Sequence, residues 1–366
     1  MDFHPSEEQA AAAALAARIF RDLATHERLA AAGTGSDAEL WKALTAAGLT
    51  SAVEEVGLLG LVLLLEEQGR TTAQVPYAAT CAYGILPVAA HGSPEQRARL
   101  LPALGSGEAV ATGAFPARRA FTATPDGRLT GTAPAVPWLR EATHVLVPDR
   151  DRALWLVRTD APGVGTRPVE TTAPWSAGRL TLTGARAERL GGPDAHDAVL
   201  AAARTAFAGL QAGVCAGSLA RAVEYTSTRE QFGRPLSTNQ GVMLRAADAY
   251  MDTEAIRVTA YEAAWRIDEG LPAREHALTA AWWASEAGKR VVHAGQHLHG
   301  GMGADLDHPV HRHFLWGRQL DAYLGCGSEL LSELGALISE GENSEGENSD
   351  AGNSERENEG ETHERR

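Results

Sequence analysis

The sequence predicts an α+β multidomain protein: an N-terminal helical domain, a small central β-barrel or sandwich domain, and a C-terminal antiparallel helical bundle. Three observations carry this. Ala and Leu recur at helical spacing from Ser6 to about Leu104. Short alternating runs bounded by turn residues fill about Glu108 to Gly192. Three Ala-rich helical segments, each near thirty residues, follow Gly191-Gly192-Pro193. The domain boundaries are placed at 1–106, 107–193 and 194–340, with 341–366 as a tail. A chain of 366 residues exceeds what one hydrophobic core usually serves.

The first helix opens at Ser6-Glu7-Glu8-Gln9, where a Ser followed three residues on by Gln is a capping-box pattern. The apolar run Leu58–Leu65 is too short for a membrane span and predicts a helix buried on most sides. In the central part, His144–Val147, Ala153–Val157 and Arg179–Thr183 alternate as strands do. Asp126-Gly127 and Asp160-Ala161-Pro162-Gly163 punctuate them as turns. The later helices are expected over Asp194–Thr228, Asn239–Gly270, Ala273–His299 and Ser328–Ser339. Helices that long are stable only when packed on one another, hence a bundle. The repeating Gly-Glu-Asn-Ser tail has no aliphatic side chain beyond Ala351 and no aromatic one, so its composition predicts disorder.

Charge and composition exclude several classes. Nine Asp or Glu and three Arg in 341–366 account for −6 of the net −14, leaving a mildly acidic body of −8 with no Lys/Arg run. That lacks the footprint of a nucleic-acid binder. Cys81, Cys215 and Cys326 are odd in number and far apart, which suits free thiols in a reducing compartment. The N-terminus has neither a basic nor an apolar signal region, and the expectation is a soluble, cytoplasmic protein that does not engage a membrane. There is no Walker loop, GxSxG, HExxH or dinucleotide fingerprint.

Two segments break local rules. In Thr228-Arg229-Glu230-Gln231-Phe232-Gly233-Arg234-Pro235, followed by Asn239-Gln240, a cation, an aromatic face and amide groups meet where one long helix ends and another starts. Those groups suit a phosphate-bearing aromatic cofactor; a plain helix–turn–helix corner stopped by Gly233 and Pro235 is the alternative. In His297-Leu298-His299-Gly300-Gly301-Met302-Gly303, glycines either let a backbone approach a ligand or only end a helix. His293, His297, His299, His308, His311 and His313 share no obvious face and no ligand spacing, so no metal site is assigned.

Jointly the two motifs resemble the acyl-CoA dehydrogenase family, FAD enzymes that desaturate acyl-CoA thioesters. The helical, β, helical order resembles the family as well. The resemblance implies FAD as cofactor, an acyl-CoA substrate and an electron-transfer flavoprotein or similar acceptor. It gives Arg229, Gln231, Phe232 and Gln240 contact with the flavin cofactor of a neighbouring subunit, and Gly300 and Gly301 a place against the same dinucleotide. His297 stands where the family usually has Gln.

The family's catalytic base is missing. The Tyr-Glu-Gly stretch that usually carries it reads Tyr323-Leu324-Gly325 here, and the second site used by some members holds Ala203, before Arg204. Asp321 and Glu329 are displaced substitutes. The flavin-facing stretches of the β domain also depart, reading Ala111–Arg119 and Ala135-Val136-Pro137-Trp138-Leu139. In this the chain resembles the base-lacking subunit of heteromeric, α2β2 acyl-CoA dehydrogenases of actinobacterial steroid side-chain degradation. That implies a homologous partner chain supplying the Glu. A self-sufficient homotetramer with an atypical base, and a non-catalytic scaffold or acyl-CoA-binding protein of the same fold, remain as alternatives.

Overall fold

The computed structural model describes residues 3–115 and 120–339. The acidic tail and part of the 111–119 stretch therefore lie outside the described residues. Seven helices come first: α1 Glu7–Leu23, α2 His26–Ala32, α3 Ala38–Ala46, α4 Val53–Thr71, α5 Tyr77–Thr80, α6 Leu86–His91 and α7 Pro94–Gly105, with a π-turn over Cys81–Ile85 between α5 and α6. Ser6 caps α1 as a full capping box with Gln9. In α4 the expected apolar run is buried nearly all round.

Among the described residues eight strands follow: β1 Ala111–Gly113, β2 Phe121–Ala123, β3 Arg128–Val136, β4 His144–Pro148, β5 Leu154–Arg158, β6 Val164–Pro168, β7 Gly178–Arg186 and β8 Glu188–Leu190. They form two sheets, ordered β1-β4-β5-β8 and β2-β3-β7-β6, antiparallel except for the β1–β4 pair. Val145, Val147, Trp155 and Val157 of one sheet meet Phe121, Leu129, Val136, Leu180 and Leu182 of the other in a shared core, which makes a sandwich.

The chain then runs through α8 Ala195–Thr228, a hairpin of β9 Glu230–Gln231 and β10 Arg234–Pro235, α9 Gln240–Asp268, α10 Arg274–Leu298, α11 Pro309–Tyr323, and α12 over 327–339. α8 is the axle of the fold. A stretch of it is long and apolar enough to cross a membrane by length and composition, more so than the Leu58–Leu65 run, but 72% of that stretch is buried against other elements. Gly209, Gly213 and Gly217 face α4 at four-residue spacing. A Cβ on Gly213 would stand 2.0 Å from the Glu66 carbonyl oxygen, and one on Gly69 2.2 Å from that of Leu210. The two backbones thus touch, and one hydrophobic core runs through the helices of the first and last thirds of the chain. At the far end, Gly57 (φ +69°) breaks the start of α4. The Asp268 carboxylate of α9 accepts the freed Leu58 and Leu59 N–H groups, both at 2.8 Å, doing the work of an N-cap from another helix.

An aromatic wall joins the three parts. Tyr83 of the π-turn stacks on Phe115 after β1 (5.4 Å, 13°) and leans on Phe207 of α8 (5.9 Å). Its hydroxyl accepts a hydrogen bond from Tyr323 of α11 at 3.1 Å. Tyr323 meets Phe207 edge-on at 4.8 Å and Trp175 at 6.1 Å, and Trp175 lies between Trp138 (6.2 Å, stacked) and Trp316 (5.4 Å, edge-on). Every ring is buried. Burial pushes both phenols well above the ordinary tyrosine range, so the pair is neutral throughout.

Two stability outcomes follow from this packing. Gly213→Ala forces backbone against backbone and is expected to cost about 1–3 kcal/mol or more, read as a lower urea midpoint. Tyr83→Phe strands a buried hydroxyl and is expected to cost about 1–2 kcal/mol. Adding Tyr323→Phe should restore most of that, and a double-mutant cycle showing additive losses would contradict the pairing.

Candidate functional site

The segment after α8 is a β-hairpin rather than the plain corner that Gly233 and Pro235 allowed. Arg229 is the C-cap of α8, its N–H bonded to the Tyr225 carbonyl at 2.8 Å and its own carbonyl accepting from Leu236 at 2.9 Å. Gln231 pairs with Arg234 across the two short strands. Phe232 (φ +55°) and Gly233 (φ +77°) occupy the turn, both left-handed as a type I′ turn demands. A bulky residue rarely accepts that conformation. Phe232 is held there with 99% of its surface exposed, while Arg229, Gln231 and Gln240, the first residue of α9, are exposed beside it in sequence. Arg234 donates to the Asn239 side chain at 3.2 Å, tying the hairpin to the start of α9.

The glycine segment forms a 3₁₀ turn, Gly300–Ala304, after α10. Gly300 needs its glycine for φ +60°, and Gly303 packs on the Gln296 carbonyl. A Cβ on Gly301 would meet nothing within 4 Å, nor would one on Gly241 in the first turn of α9. Packing within the chain does not explain glycine at either place; the close approach of something outside it would. His297 is exposed on the last turn of α10. The two segments are neighbours in space, because the His299 ring stacks on that of Tyr225 at 4.8 Å and 21°. All seven sequence-derived residues thus lie on two adjoining, outward-facing segments of the C-terminal part. Met243, Leu244, Tyr250, Met251, Met302 and Leu306 add exposed apolar surface on α9 and around the glycine turn. A cation, a free aromatic face, amides and open glycine backbone fit an anionic dinucleotide on this outward face. Among the described residues no group of three or more His, Cys, Asp or Glu is placed to hold a metal.

The chain's own catalytic stretch is arranged differently. Leu324 is buried beside a cavity of only about 20 Å³, room for roughly one water, with Arg204, Phe207, Ala281, Tyr323 and Leu330 around it. Ala203 is fully buried in α8. Next to it Arg204, itself only 8% exposed, makes a two-pronged bond to Glu333 of α12 at 2.9 and 2.7 Å, which holds that carboxyl below its usual range. Neither substitute carboxylate is among the residues around the cavity. Asp321 is paired with Arg318 at 3.2 Å and faces Lys289, Glu286 and His293 on the α10 side; burial raises its pKa. Glu329 accepts the Cys326 N–H at 3.2 Å.

The β-domain stretches close on the same region. Thr112 donates to the Pro137 carbonyl at 2.5 Å, and a Cβ on Gly113 would stand 2.5 Å from the Tyr83 ring. Trp138 is neither a sheet-surface residue nor a ring face open to a ligand: it is 2% exposed, left-handed at φ +59°, and stacked on Trp175. Phe115 and Trp138, from the two stretches expected to face a flavin, and Tyr323, from the stretch expected to carry the base, all belong to the aromatic wall. Among the described residues these side chains are packed on one another, whereas those of the outward face are exposed. Tyr225 and Glu333 were not singled out in the sequence, and His299, Phe115, Trp138 and Tyr323 were named there only within their motifs, since their packing depends on partners far away along the chain.

Comparison with known proteins agrees over both helical parts. Residues 6–108 match the acyl-CoA dehydrogenase N-terminal domain and residues 191–334 the acyl-CoA dehydrogenase C-terminal domain. The chain is 37% identical over 335 residues to acyl-CoA dehydrogenase FadE27 of Mycobacterium tuberculosis, covering 83% of this chain and 89% of that one. Among solved structures, a variant of the Tcur3481–Tcur3483 steroid ACAD superposes with a TM-score of 0.87 at 43% identity, covering 92% of this chain and 98% of that one. The ChsE4–ChsE5 complex from Mycobacterium tuberculosis does so with a TM-score of 0.88 at 34% identity, covering 93% and 99%. The chain belongs to the acyl-CoA dehydrogenase family, whose cofactor is FAD.

Proposed function

We propose that this chain is the base-lacking subunit of a heteromeric acyl-CoA dehydrogenase, completing an FAD site that a homologous partner chain shares and supplying no proton acceptor of its own. The observation that carries this is Phe232: a large apolar ring held in a disfavoured backbone conformation with 99% of its surface uncovered. Fully burying such a ring is worth roughly 1.5–3 kcal/mol, which association would recover. Two of the similar solved structures are two-component assemblies by their titles, one of them a steroid ACAD, and this favours an α2β2 complex acting on a steroid acyl-CoA.

When bound, FAD supplies the hydride acceptor for desaturation next to the thioester. Toward it Arg229 offers a guanidinium to phosphate oxygens, Phe232 a flat apolar surface, Gln231, Gln240 and His297 hydrogen-bonding groups, and Gly300-Gly301 a backbone that can be approached closely. The proton alpha to the carbonyl must go to a carboxylate within hydrogen-bond reach, and Leu324 and Ala203 cannot take it. The partner therefore provides that carboxylate. An electron-transfer flavoprotein or a similar acceptor would take up the electrons released by the desaturation.

The chain purified alone is expected to be colourless, and co-expression with a homologous acyl-CoA dehydrogenase chain of the same genome should give flavin absorbance and an α2β2 native mass. In that complex Arg229→Ala and Phe232→Ala are each expected to weaken FAD retention about tenfold or more, some 1.4 kcal/mol. A lone chain that binds FAD stoichiometrically and desaturates an acyl-CoA would overturn the proposal. Arg229→Ala without effect on flavin or activity would instead favour a scaffold.

A further inference from the structure

The two outward-facing segments are separated by some sixty residues, yet one residue touches both. The Tyr225 carbonyl accepts the Arg229 N–H at 2.8 Å, at the base of the Phe232 hairpin, while its ring carries the His299 imidazole at 4.8 Å, immediately before Gly300. His299 is 3% exposed and is fixed from its other side by a bond between Nδ1 and the Gly295 carbonyl at 2.7 Å. We propose that Tyr225 and His299 are positioning residues whose ring stack sets the hairpin and the glycine turn at one fixed spacing, so that both meet the same cofactor; this rests on the shared-flavin reading above.

The imidazole makes the brace sensitive to acid. Facing it are Tyr225 and Arg221 from α8, the Gly295 carbonyl from α10, and His308, the N-cap of α11, whose ring stands edge-on at 5.0 Å. His308 in turn faces Asp305, Arg221 and His26 of α2, and its Nδ1 accepts the Val310 N–H at 3.2 Å. Burial first, then the Arg221 charge, holds His299 below the ordinary histidine value of 6.5 despite the carbonyl bond. The folded state therefore favours the neutral ring. The stack is complete above about pH 6.5 and weakens as pH falls below that toward the lowered value, because a second proton adds charge opposite Arg221 and His308.

Amide hydrogen exchange on the free chain, corrected for the intrinsic rate at each pH, tests the brace without any flavin. At pH 7, His299→Ala is expected to raise exchange about tenfold in both 229–236 and 299–305, whereas His299→Phe, which keeps a ring in the stack, should retain wild-type protection. From pH 7 to pH 5 the wild type should lose protection in both segments together, and His299→Phe should not lose it in 229–236. A change confined to 297–305, or an identical acid response in wild type and His299→Phe, overturns the inference, and the second comparison holds even if His299→Ala fails to fold. In the co-purified complex, His299→Ala should weaken FAD retention as well. Coupled exchange with unaltered FAD retention would support the brace and contradict the shared-flavin reading.

Discussion

The aromatic wall is the constraint on which the rest of the arrangement depends. Tyr83, Phe115, Trp138, Trp175, Phe207, Trp316 and Tyr323 come from the N-terminal helices, the sandwich and the C-terminal helices, and their ring contacts hold the sandwich against the bundle. Rings of this size bury large areas with a preferred geometry, so the wall is both adhesive and shape-determining. It stands where the two stretches expected to face a flavin meet the stretch expected to carry the base. The side chains that weld the domains occupy the space between them. Beside it, Arg204 is held by Glu333, and breaking that bridge would leave the Arg204 charge buried without its partner.

The outward face obeys the opposite logic. Phe232, Gly241 and Gly301 are choices that the folded chain does not need: the ring covers nothing, and the glycines make no close contact. Such residues are costly or neutral for the chain by itself and become sensible only against something outside it. Under the proposed function this becomes a division of labour between homologous subunits, with one face kept for a neighbour and the inner side given over to packing.

Much of this was legible in the sequence, and the exceptions have physical reasons. Long Ala-rich periods located α8, α9 and α10 to within a residue or two, because a buried helix must keep its apolar face in phase. The capping box at Ser6 and the turn at Asp126-Gly127 are local chemistry and appear as read. The motif residues could be named because they lie on two short contiguous segments. The hairpin form of 229–236 was not legible, since two-residue strands carry no alternation. α11 escaped because His313, a polar residue fully buried with its ring nitrogens facing the Pro309 and Arg70 carbonyls, interrupts the apolar face that Val310, Trp316 and Leu320 would otherwise announce. The wall was hidden for a different reason: its members are single aromatics scattered from Tyr83 to Tyr323, and only the tertiary fold brings them together. Trp138 is the clearest case, since nothing in Pro137-Trp138-Leu139 announces a left-handed tryptophan turned into the core.

The central claim is that the chain lends an outer face to a flavin while its own cleft is filled. The count of FAD per pair of unlike chains in the purified complex tests it most directly, measured as flavin released on denaturation against the amount of each chain. One FAD per pair is the predicted result. Two per pair would mean that the cleft behind the aromatic wall opens to hold a second cofactor, and would contradict the account.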